Sequence, residues 1–394
     1  MRPFDGIRII DTTHVLAGPF ATYQLAILGA EVIKIEHPKE PDQTRGQGAD
    51  AELRATGMAT TYLAQSSNKR CVALDLKTPA GREVMTELLR TADVFVENYR
   101  PGAFDALQLG YDEIAKINSR LIYCSISAFG QTGPRGPQTA YDLVIQAASG
   151  LMAMTGTPEV NPVRIGAPVV DYSTGTAAAF AISSALFQRE KTGKGQRIDL
   201  SMFDMATILM GAQVTSYSYG GHEPRPMGNR HFTATIASYE TRDGLLMIAA
   251  SNMRQQARLW RALDRPDMIK TDEGERLAKR DEEAAVLTGI FLTRTADEWE
   301  TYLQSKHVPA SRVRRMTEAL DDPQLAVRGV LHHYDGCEGV DRSFTVPVAA
   351  FQFAHGGPSI ETPPRQAGAD TDAVLAEAGF RADRVAELRS SGVI

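Results

Sequence analysis

Residues 6–36 read GIRIIDTTHVLAGPFATYQLAILGAEVIKIE. In this stretch a β-branched run at 7–10 precedes an apolar segment with helical spacing at 17–28, and a second β-branched run follows at 32–35. Two neighbouring parallel strands need a crossover connection, and a helix is the usual one. The stretch therefore predicts a βαβ unit and an α/β fold.

The same alternation continues through the first half of the chain. The run at 94–96 is apolar throughout, as a strand covered on both faces of a sheet would be. Pro79 suits the first turn of a helix, where the missing N–H has no intrahelical partner in any case. We therefore expect a Rossmann-like, mostly parallel sheet. Its further predicted strands are 71–74, 121–126 and 197–202, and its further predicted helices are one beginning at 79, 171–190 and 203–213.

The second half has a different character. Residues 217–230 are rich in Gly, Pro, Tyr and His without periodicity, which is typical of a linker. Residues 239–244 look like a hairpin turn between two strands, and helical segments follow. This pattern predicts a smaller α+β domain. Its predicted helices are 254–263, 282–292 and 296–305.

The C-terminal part is rich in proline and glycine, so we expect an extended path before two short helices at 370–378 and 381–389. The predicted organisation is a large discontinuous domain, 1–220 with 330–394, and a small domain with its linkers, 221–329.

Composition excludes several classes of protein. The chain has 394 residues, 43% of them apolar, which is enough for one large core and one smaller core. Its 42 basic and 48 acidic residues give a net charge of −6, so a nucleic-acid or anionic-membrane binder is not expected. The three cysteines have no CxxC spacing, which argues against a disulfide framework and a thiolate zinc site. No apolar run is long enough to span a membrane, and a cytoplasmic location is expected.

Motifs for nucleotide, metal or serine chemistry are weak or missing. Gly46, Gly48 and Ala51 fit GxGxxA, but they lie about ten residues beyond a strand rather than in a strand-to-helix turn. The sequence contains no Walker loop, no HExxH and no GxSxG. We expect no metal site.

A set of short motifs in a fixed order is more informative. They read GIRIID at 6–11, HVLAGP at 14–19, LGAEVIKIE at 28–36, NKR at 68–70, LDLK at 74–77, VENYRPG at 96–102, GAPVVD at 166–171 and TGKGQRID at 192–199. Together they closely resemble the class III coenzyme A (CoA) transferase family, which includes formyl-CoA transferase, carnitine CoA-transferase and the divergent α-methylacyl-CoA racemases. The resemblance extends over nearly the whole chain.

The resemblance implies an interlocked, ring-threaded homodimer in which the Rossmann-like domain holds CoA. Acyl-CoA and a small carboxylic acid would be the substrates, with no bound cofactor, no nucleic acid and no membrane partner. Asp171 matches the family's aspartate nucleophile. Candidate active-site residues are His14, Arg45 and Asn229. The family's CoA contacts fall on Leu16, Ala17, His37, Leu74, Asp75, Lys77, Asn98, Tyr99, Arg100, Thr139, Tyr141 and Asp142.

Asp171 also has a simpler interpretation. It lies just before the predicted Ala-rich helix, so its carboxylate could be an N-cap that accepts backbone N–H groups. The helix dipole would favour its ionised form, which is the form a nucleophile needs. Capping and catalysis are compatible.

A carboxylate nucleophile fits CoA exchange between two acids, because it can trap the acyl group covalently without losing it to water. The racemase branch has His where Tyr141 stands, and tyrosine, with a pKa near ~10, is a poor base at neutral pH. CoA transfer to a small acid, with a dicarboxylic acid as one candidate, is therefore the leading hypothesis. The alternatives are a 2-methylacyl-CoA racemase and a non-catalytic acyl-CoA-binding protein.

The sequence departs from its relatives at two places that bear on substrate. Formyl-CoA transferases have Gln where Leu16 stands, and they carry a glycine-rich loop that is missing around 227–231. Oxalate and formate are therefore disfavoured. Arg45, Arg164 and Arg230 are candidate anchors for a second carboxylate. A basic cluster for the phosphates of CoA is expected from Lys69, Arg70, Lys77 and Arg100.

Overall fold

The computed structural model describes residues 1–394. Its first half is a series of βα units, as the alternating pattern predicts. The strands are short and, apart from the half-exposed edge strand at 196–201, mostly buried, and the intervening helices cover both faces of the sheet. The elements are β1 Arg8–Asp11, α1 Ala17–Ala26, β2 Glu31–Glu36, α2 Ala51–Ala55, α3 Thr60–Leu63, β3 Lys69–Ala73, α4 Pro79–Arg90, β4 Val94–Glu97, α5 Ala103–Ala106, α6 Tyr111–Ile117, β5 Ile122–Ser127, α7 Asp142–Ser149, α8 Val169–Thr192 and β6 Gln196–Ser201.

These six strands form one parallel sheet in the order β3-β2-β1-β4-β5-β6. The order reverses between β1 and β4, which pair directly with Ile10 opposite Phe95. Connections therefore leave the carboxyl ends of these two strands in opposite directions, which opens a crevice where such sheets bind ligands. The predicted Rossmann-like sheet is confirmed, and Pro79 occupies the first turn of its helix behind the cap Thr78.

Beyond the sheet, one prediction is wrong. Two helices follow β6, α9 Met202–Leu209 and α10 Gly211–Gly220, so residues 217–220 are helical and not part of a linker. The polar and aromatic side chains of residues 217–220 give no helical pattern of apolar positions, so the sequence did not indicate a helix. The helix ends at Gly221, whose φ of +67° is readily adopted only by glycine.

The following elements form a second sheet with helices around it. The predicted hairpin at 239–244 is confirmed, with the Thr241 N–H donating to the Gly244 carbonyl across 2.8 Å. The apolar faces of the helices pack on the sheet around Trp260 and Phe291. The elements are β7 Ile236–Glu240, β8 Leu245–Ala249, α11 Met253–Ala262, α12 Glu273–Ala278, α13 Arg280–Phe291, α14 Ala296–Ser305, β9 Ala310–Arg312 and α15 Met316–Leu320.

The C-terminal part returns to the first sheet. Val374, Leu388 and Ile394 join the same buried cluster as Phe95 and Val72. The elements are α16 Pro323–Arg328, the antiparallel pair β10 Leu331–Tyr334 and β11 Phe344–Pro347, α17 Thr371–Glu377 and α18 Ala382–Ser390.

The chain divides into two compact units. The first comprises 1–152, 164–223 and 324–394, and the second comprises 153–163 and 224–323. The sequence predicts one domain of 1–220 with 330–394 and another of 221–329. These ranges stay a prediction about independently folding domains, and limited proteolysis would test them. No helix is long and apolar enough to cross a membrane.

Candidate active site

The crevice between β1 and β4 brings together two of the sequence motifs. Asn98, which follows β4, bonds both backbone groups of His14, which follows β1. Its Oδ1 accepts the His14 N–H at 2.9 Å and its Nδ2 donates to the His14 carbonyl at 2.8 Å. The His14 Nε2 lies 2.5 Å from the Tyr99 hydroxyl. The proximity of these two loops follows from the strand order, in which β1 and β4 are neighbours.

The His14–Tyr99 pair is neutral. Burial, together with the charge of Lys34, lowers the pKa of His14, and burial raises the pKa of Tyr99 to about 12. Neither ring carries charge at neutral pH, so this pair offers polarity and shape to a ligand rather than a counter-ion.

Asp171 lies inside the first turn of α8, and the expectation that it caps this helix is wrong. The helix begins at Val169, and the acceptor at its start is Asp142. The Asp142 Oδ2 accepts the N–H groups of Val170 at 2.8 Å and Asp171 at 3.1 Å, while its Oδ1 accepts from Gln146. Because Asp142 satisfies these donors, the Asp171 carboxylate is left for other partners.

The surroundings of Asp171 oppose its ionisation. Burial and then the negative charge of Asp142 raise its pKa to about 7, and a hydrogen bond from the backbone N–H of Ala17 opposes this rise. The sequence predicted that the helix start would favour the ionised form, but burial outweighs that effect here. A carboxyl group that titrates near neutrality, only 9% exposed, is typical of functional sites.

The Ala17 N–H reaches Asp171 because α1 and α8 pack closely. Gly175, one turn after Asp171, allows this approach. A Cβ at Gly175 would lie 2.6 Å from the Ala17 carbonyl oxygen and 3.0 Å from the Phe20 ring. Backbone cannot yield as a flexible side chain can, so this position requires glycine.

The other predicted CoA contacts lie in the first unit, at or near the carboxyl ends of its strands. Leu16 and Ala17 are buried at the start of α1, and Leu74 is buried after β3. His37 follows β2, with its Nε2 3.7 Å from the Asp75 Oδ1 and its Nδ1 accepting two backbone N–H groups. Exposed positions are occupied by Lys77, Tyr99, Arg100, Thr139 and Tyr141.

Two predicted basic residues are not available to a ligand. The Arg45 guanidinium makes two bonds to Glu36, at 2.8 and 2.7 Å, and lies over the Tyr62 ring. Lys69 is fully buried and donates to Asp11 at 3.2 Å. The expectations that Arg45 anchors a substrate carboxylate and that Lys69 meets a phosphate are therefore wrong. Buried charges are paired because an unpaired one is costly to desolvate.

Among the remaining candidates, Arg164 and Asn229 are exposed and Arg70 is half-buried. Arg70 is engaged with Glu31 and Glu377. Arg164 donates to the Gly166 carbonyl within the first unit. Asn229 belongs to the second unit, where its carbonyl accepts the Ser238 N–H at 3.0 Å.

Sequence reasoning missed a buried polar layer beneath the 14–19 motif. Its members are Lys34, Glu36, Asp42 and Gln65, all buried. A signal was present, because Lys34 interrupts the apolar run at 32–35 within β2. No group of three His, Cys, Asp or Glu side chains is placed to hold a metal ion.

Comparison with known proteins places this geometry in context. The model of CoA-transferase family III matches residues 4–371. Human succinyl-CoA:glutarate CoA-transferase is 34% identical over 400 residues, covering 100% of this chain and 90% of its own. Acetyl-CoA:oxalate CoA-transferase of Acetobacter aceti is 37% identical, covering 84% of this chain and 85% of its own. A CAIB/BAIF family protein from Brucella suis superposes with a TM-score of 0.82 at 32% identity, covering 96% and 99% of the two chains.

Proposed function

The chain belongs to CoA-transferase family III, and from that premise we propose that it moves CoA from an acyl-CoA donor to a dicarboxylic acid, with Asp171 as the nucleophile. The observation that carries the proposal is the Asp171 carboxylate, which is buried, titrates near neutrality and is hydrogen-bonded by the Ala17 N–H. Glu97, at the end of β4, is also buried with a pKa raised to about 7, but its carboxylate accepts the Tyr99 N–H at 2.9 Å and it lies outside the family's nucleophile motif.

The proposed reaction begins when ionised Asp171 attacks the thioester carbonyl of the donor. The C–S bond breaks, CoA leaves as a thiolate, and a mixed anhydride remains. The thiolate then attacks the Asp171 carbonyl carbon, which releases the donor acid and leaves an aspartyl-CoA thioester. The acceptor carboxylate attacks this thioester and expels the thiolate again, giving a second anhydride. Thiolate attack on its acceptor carbonyl yields the new acyl-CoA and free Asp171.

Each of these additions develops negative charge on a carbonyl oxygen. A backbone N–H held in a buried pocket stabilises such an oxyanion more than it stabilises the neutral carbonyl. The Ala17 N–H is the donor that this structure provides at Asp171. Burial has a second consequence, since it keeps water from the anhydride and thioester intermediates.

A dicarboxylic acceptor is supported by the relatives, whose names include glutarate and oxalate. With Arg45 already paired to Glu36, Arg164 is the proposed anchor for the second carboxylate within the unit that holds Asp171. An acceptor panel from oxalate to glutarate, with matched monocarboxylates, would test this proposal. Arg164→Gln should raise KM for the dicarboxylate only; an equal effect on monocarboxylates would exclude this arginine.

We also propose a homodimer in the cytoplasm. Large apolar side chains on α8, α9 and α10 support the dimer, because a monomer would leave them in water. Phe180 is 75% exposed and Tyr219 is 95% exposed. All three cysteines are free, which is consistent with a reducing compartment.

The central test is trapping of the covalent intermediate. Incubation with succinyl-CoA should add CoA to Asp171, seen by mass spectrometry, and hydroxylamine should convert that residue to a hydroxamate. Asp171→Asn should abolish both the adduct and the transfer. Asp112→Asn is a matched control, since Asp112 is an exposed aspartate in the first turn of α6. Transfer by Asp171→Asn would refute the proposed mechanism.

The two other hypotheses have distinct signatures. A racemase would incorporate solvent deuterium at the α-carbon of a 2-methylacyl-CoA without any acceptor acid. A binding protein would retain CoA tightly and show no turnover. Tyr141 is 60% exposed, in the position where a racemase needs a histidine base, so no feature of this site favours racemisation.

A further inference from the structure

Residues 13–15, here called the 13–15 loop, have an unusual environment. Every backbone N–H and carbonyl of these three residues is bonded by a side chain. The Thr13 N–H donates to the Asp11 Oδ1 at 2.8 Å, and the Thr13 carbonyl accepts from the Lys34 Nζ at 2.7 Å. Asn98 bonds both backbone groups of His14, as described above. Loops usually satisfy these groups with water or with one another.

Val15 is the third residue of the 13–15 loop, and its backbone conformation is strained. Its N–H donates to the Asp42 Oδ1 at 3.2 Å, and its carbonyl accepts from the Gln65 Nε2 at 2.8 Å. Its φ of +69° lies in the left-handed region, which β-branched residues rarely adopt. Such a conformation persists only where the surroundings hold it, and it is concentrated at functional sites.

The side-chain amide of Gln65 is only partly hydrogen-bonded, which costs stability. It is 2% exposed, and its Oε1 is buried with no hydrogen-bond partner. An apolar side chain of similar size would avoid that unsatisfied acceptor but would lose the bond to Val15. The amide of Gln65 thus holds the Val15 carbonyl while leaving its own oxygen unsatisfied.

The 13–15 loop leads directly to the N–H that meets Asp171. α1 starts at Ala17, and its N-cap residue Leu16 provides no side-chain cap. The first N–H groups of a helix have no intrahelical partner, so the Ala17 N–H is free to point outward from the helix. This N–H acts on the Asp171 carboxyl group, whose pKa it lowers against the effect of burial. The direction of this donor depends on the path of the chain just before it.

We propose that Asn98, Asp42 and Gln65 are positioning residues that fix the 13–15 loop and thereby aim the Ala17 N–H at the carboxyl group of Asp171. Asp42 and Gln65 are buried, and their contact with this part of the site is through the loop, although Asp42 also pairs with Lys34. Asn98 holds the same loop from β4, on the other side of the crevice. This inference rests on the proposed function, because it assigns these residues to the acylation of Asp171.

The test uses Gln65→Met, which removes the donor to Val15 and the unsatisfied Oε1 together. Single-turnover mass spectrometry should show formation of the Asp171 adduct slowed about 10- to 100-fold, the cost of a small misplacement of a reacting group. KM for acyl-CoA should stay within about 2-fold, since Gln65 is buried away from the ligand. Without substrate, hydrogen exchange of a peptide covering residues 12–20 should accelerate.

Gln256→Met is the matched control. Gln256 is a buried glutamine of the second unit, and its Nε2 also donates to a backbone carbonyl, that of Lys270 at 3.0 Å. It should leave adduct formation unchanged. If Gln65→Met does not fold, Asn98→Asp replaces it. That variant keeps an acceptor for the His14 N–H, and it should retain more acylation than Asn98→Ala.

The outcomes distinguish a failure of the positioning inference from a failure of the proposed function. Normal adduct formation in Gln65→Met and Asn98→Ala, whether or not hydrogen exchange changes, would overturn the positioning inference and leave the proposed function intact. If wild-type protein forms no adduct with any donor, the proposed function fails and the inference falls with it. Accelerated exchange together with slow acylation in both variants supports the inference.

Discussion

At the scale of single residues, the balance of effects on Asp171 decides at which pH its carboxyl group is ionised. Burial and the charge of Asp142 raise its pKa to about 7 from an ordinary value of 3.8. In the proposed reaction the attacking form is the ionised one, so its population falls as the pH drops below about 7. For folding, the folded state holds this proton more tightly than the unfolded chain, so stability decreases as pH rises from about 4 to about 7.

We therefore expect the rate of adduct formation to rise with pH and level off above about 7. Asp142→Asn removes a neighbouring negative charge and keeps an oxygen acceptor for the start of α8. Its pH profile should shift to lower pH, because ionisation of Asp171 then meets less repulsion. The other group close to Asp171, Tyr172, stays neutral, since burial raises its pKa. A profile that shifts to higher pH in Asp142→Asn, measured by single-turnover kinetics, would contradict this explanation.

At the scale of elements, the contact between α1 and α8 brings the Ala17 N–H to Asp171, the proposed nucleophile. Gly175 makes the contact possible, because any side chain there meets the backbone of Ala17. α8 is otherwise rich in alanine and carries its buried residues along the face that packs on the sheet and α1. The geometry of the site is therefore a property of a helix pair, not of one loop.

Gly175→Ala should separate the two helices. We expect a loss of about 1–3 kcal/mol in the free energy of unfolding, the usual cost of overpacking, together with slower adduct formation. Gly289→Ala is the matched control, since Gly289 is also inside a helix and a Cβ there meets nothing within 4 Å. That variant should gain roughly 0.5–1 kcal/mol. Urea denaturation of both variants measures the difference, and equal stabilities would show that the close approach is unimportant.

At the scale of the whole molecule, the proposed homodimer would cover exposed apolar surface. Phe180 on α8 and Tyr219 on α10 are large and exposed, in a chain whose overall net charge is −6. A second copy of the chain is the partner that the proposed homodimer provides.

Phe180→Asp combined with Tyr219→Asp should therefore shift the protein from dimer to monomer at micromolar concentration. Each change places a charge in an apolar contact, where it is costly to desolvate. Light scattering coupled to size-exclusion chromatography measures the mass. Val327→Asp, on α16 and 78% exposed, is the control. A monomeric wild-type protein would exclude the proposed homodimer.

Most of the fold could be predicted because the sequence patterns that indicate its helices, strands and turns involve residues close together in the chain. Alternating β-branched and amphipathic runs identified the six parallel strands, Pro79 marked a helix start, and the hairpin at 239–244 was read from its turn residues. The motif order identified the family, and the same motif singled out Asp171. The helical residues 217–220 were missed because their period is hidden by polar and aromatic side chains.

Only the tertiary structure decided how the site is assembled. Asp142, not Asp171, accepts the first N–H groups of α8, and these groups are separated by 28 and 29 residues in sequence. Arg45 and Lys69 look like surface cations in the sequence but are buried against Glu36 and Asp11. The physical reason is common to these cases. Periodicity and turn chemistry depend on neighbours in the chain, whereas burial, charge pairing and pKa depend on residues that folding brings together.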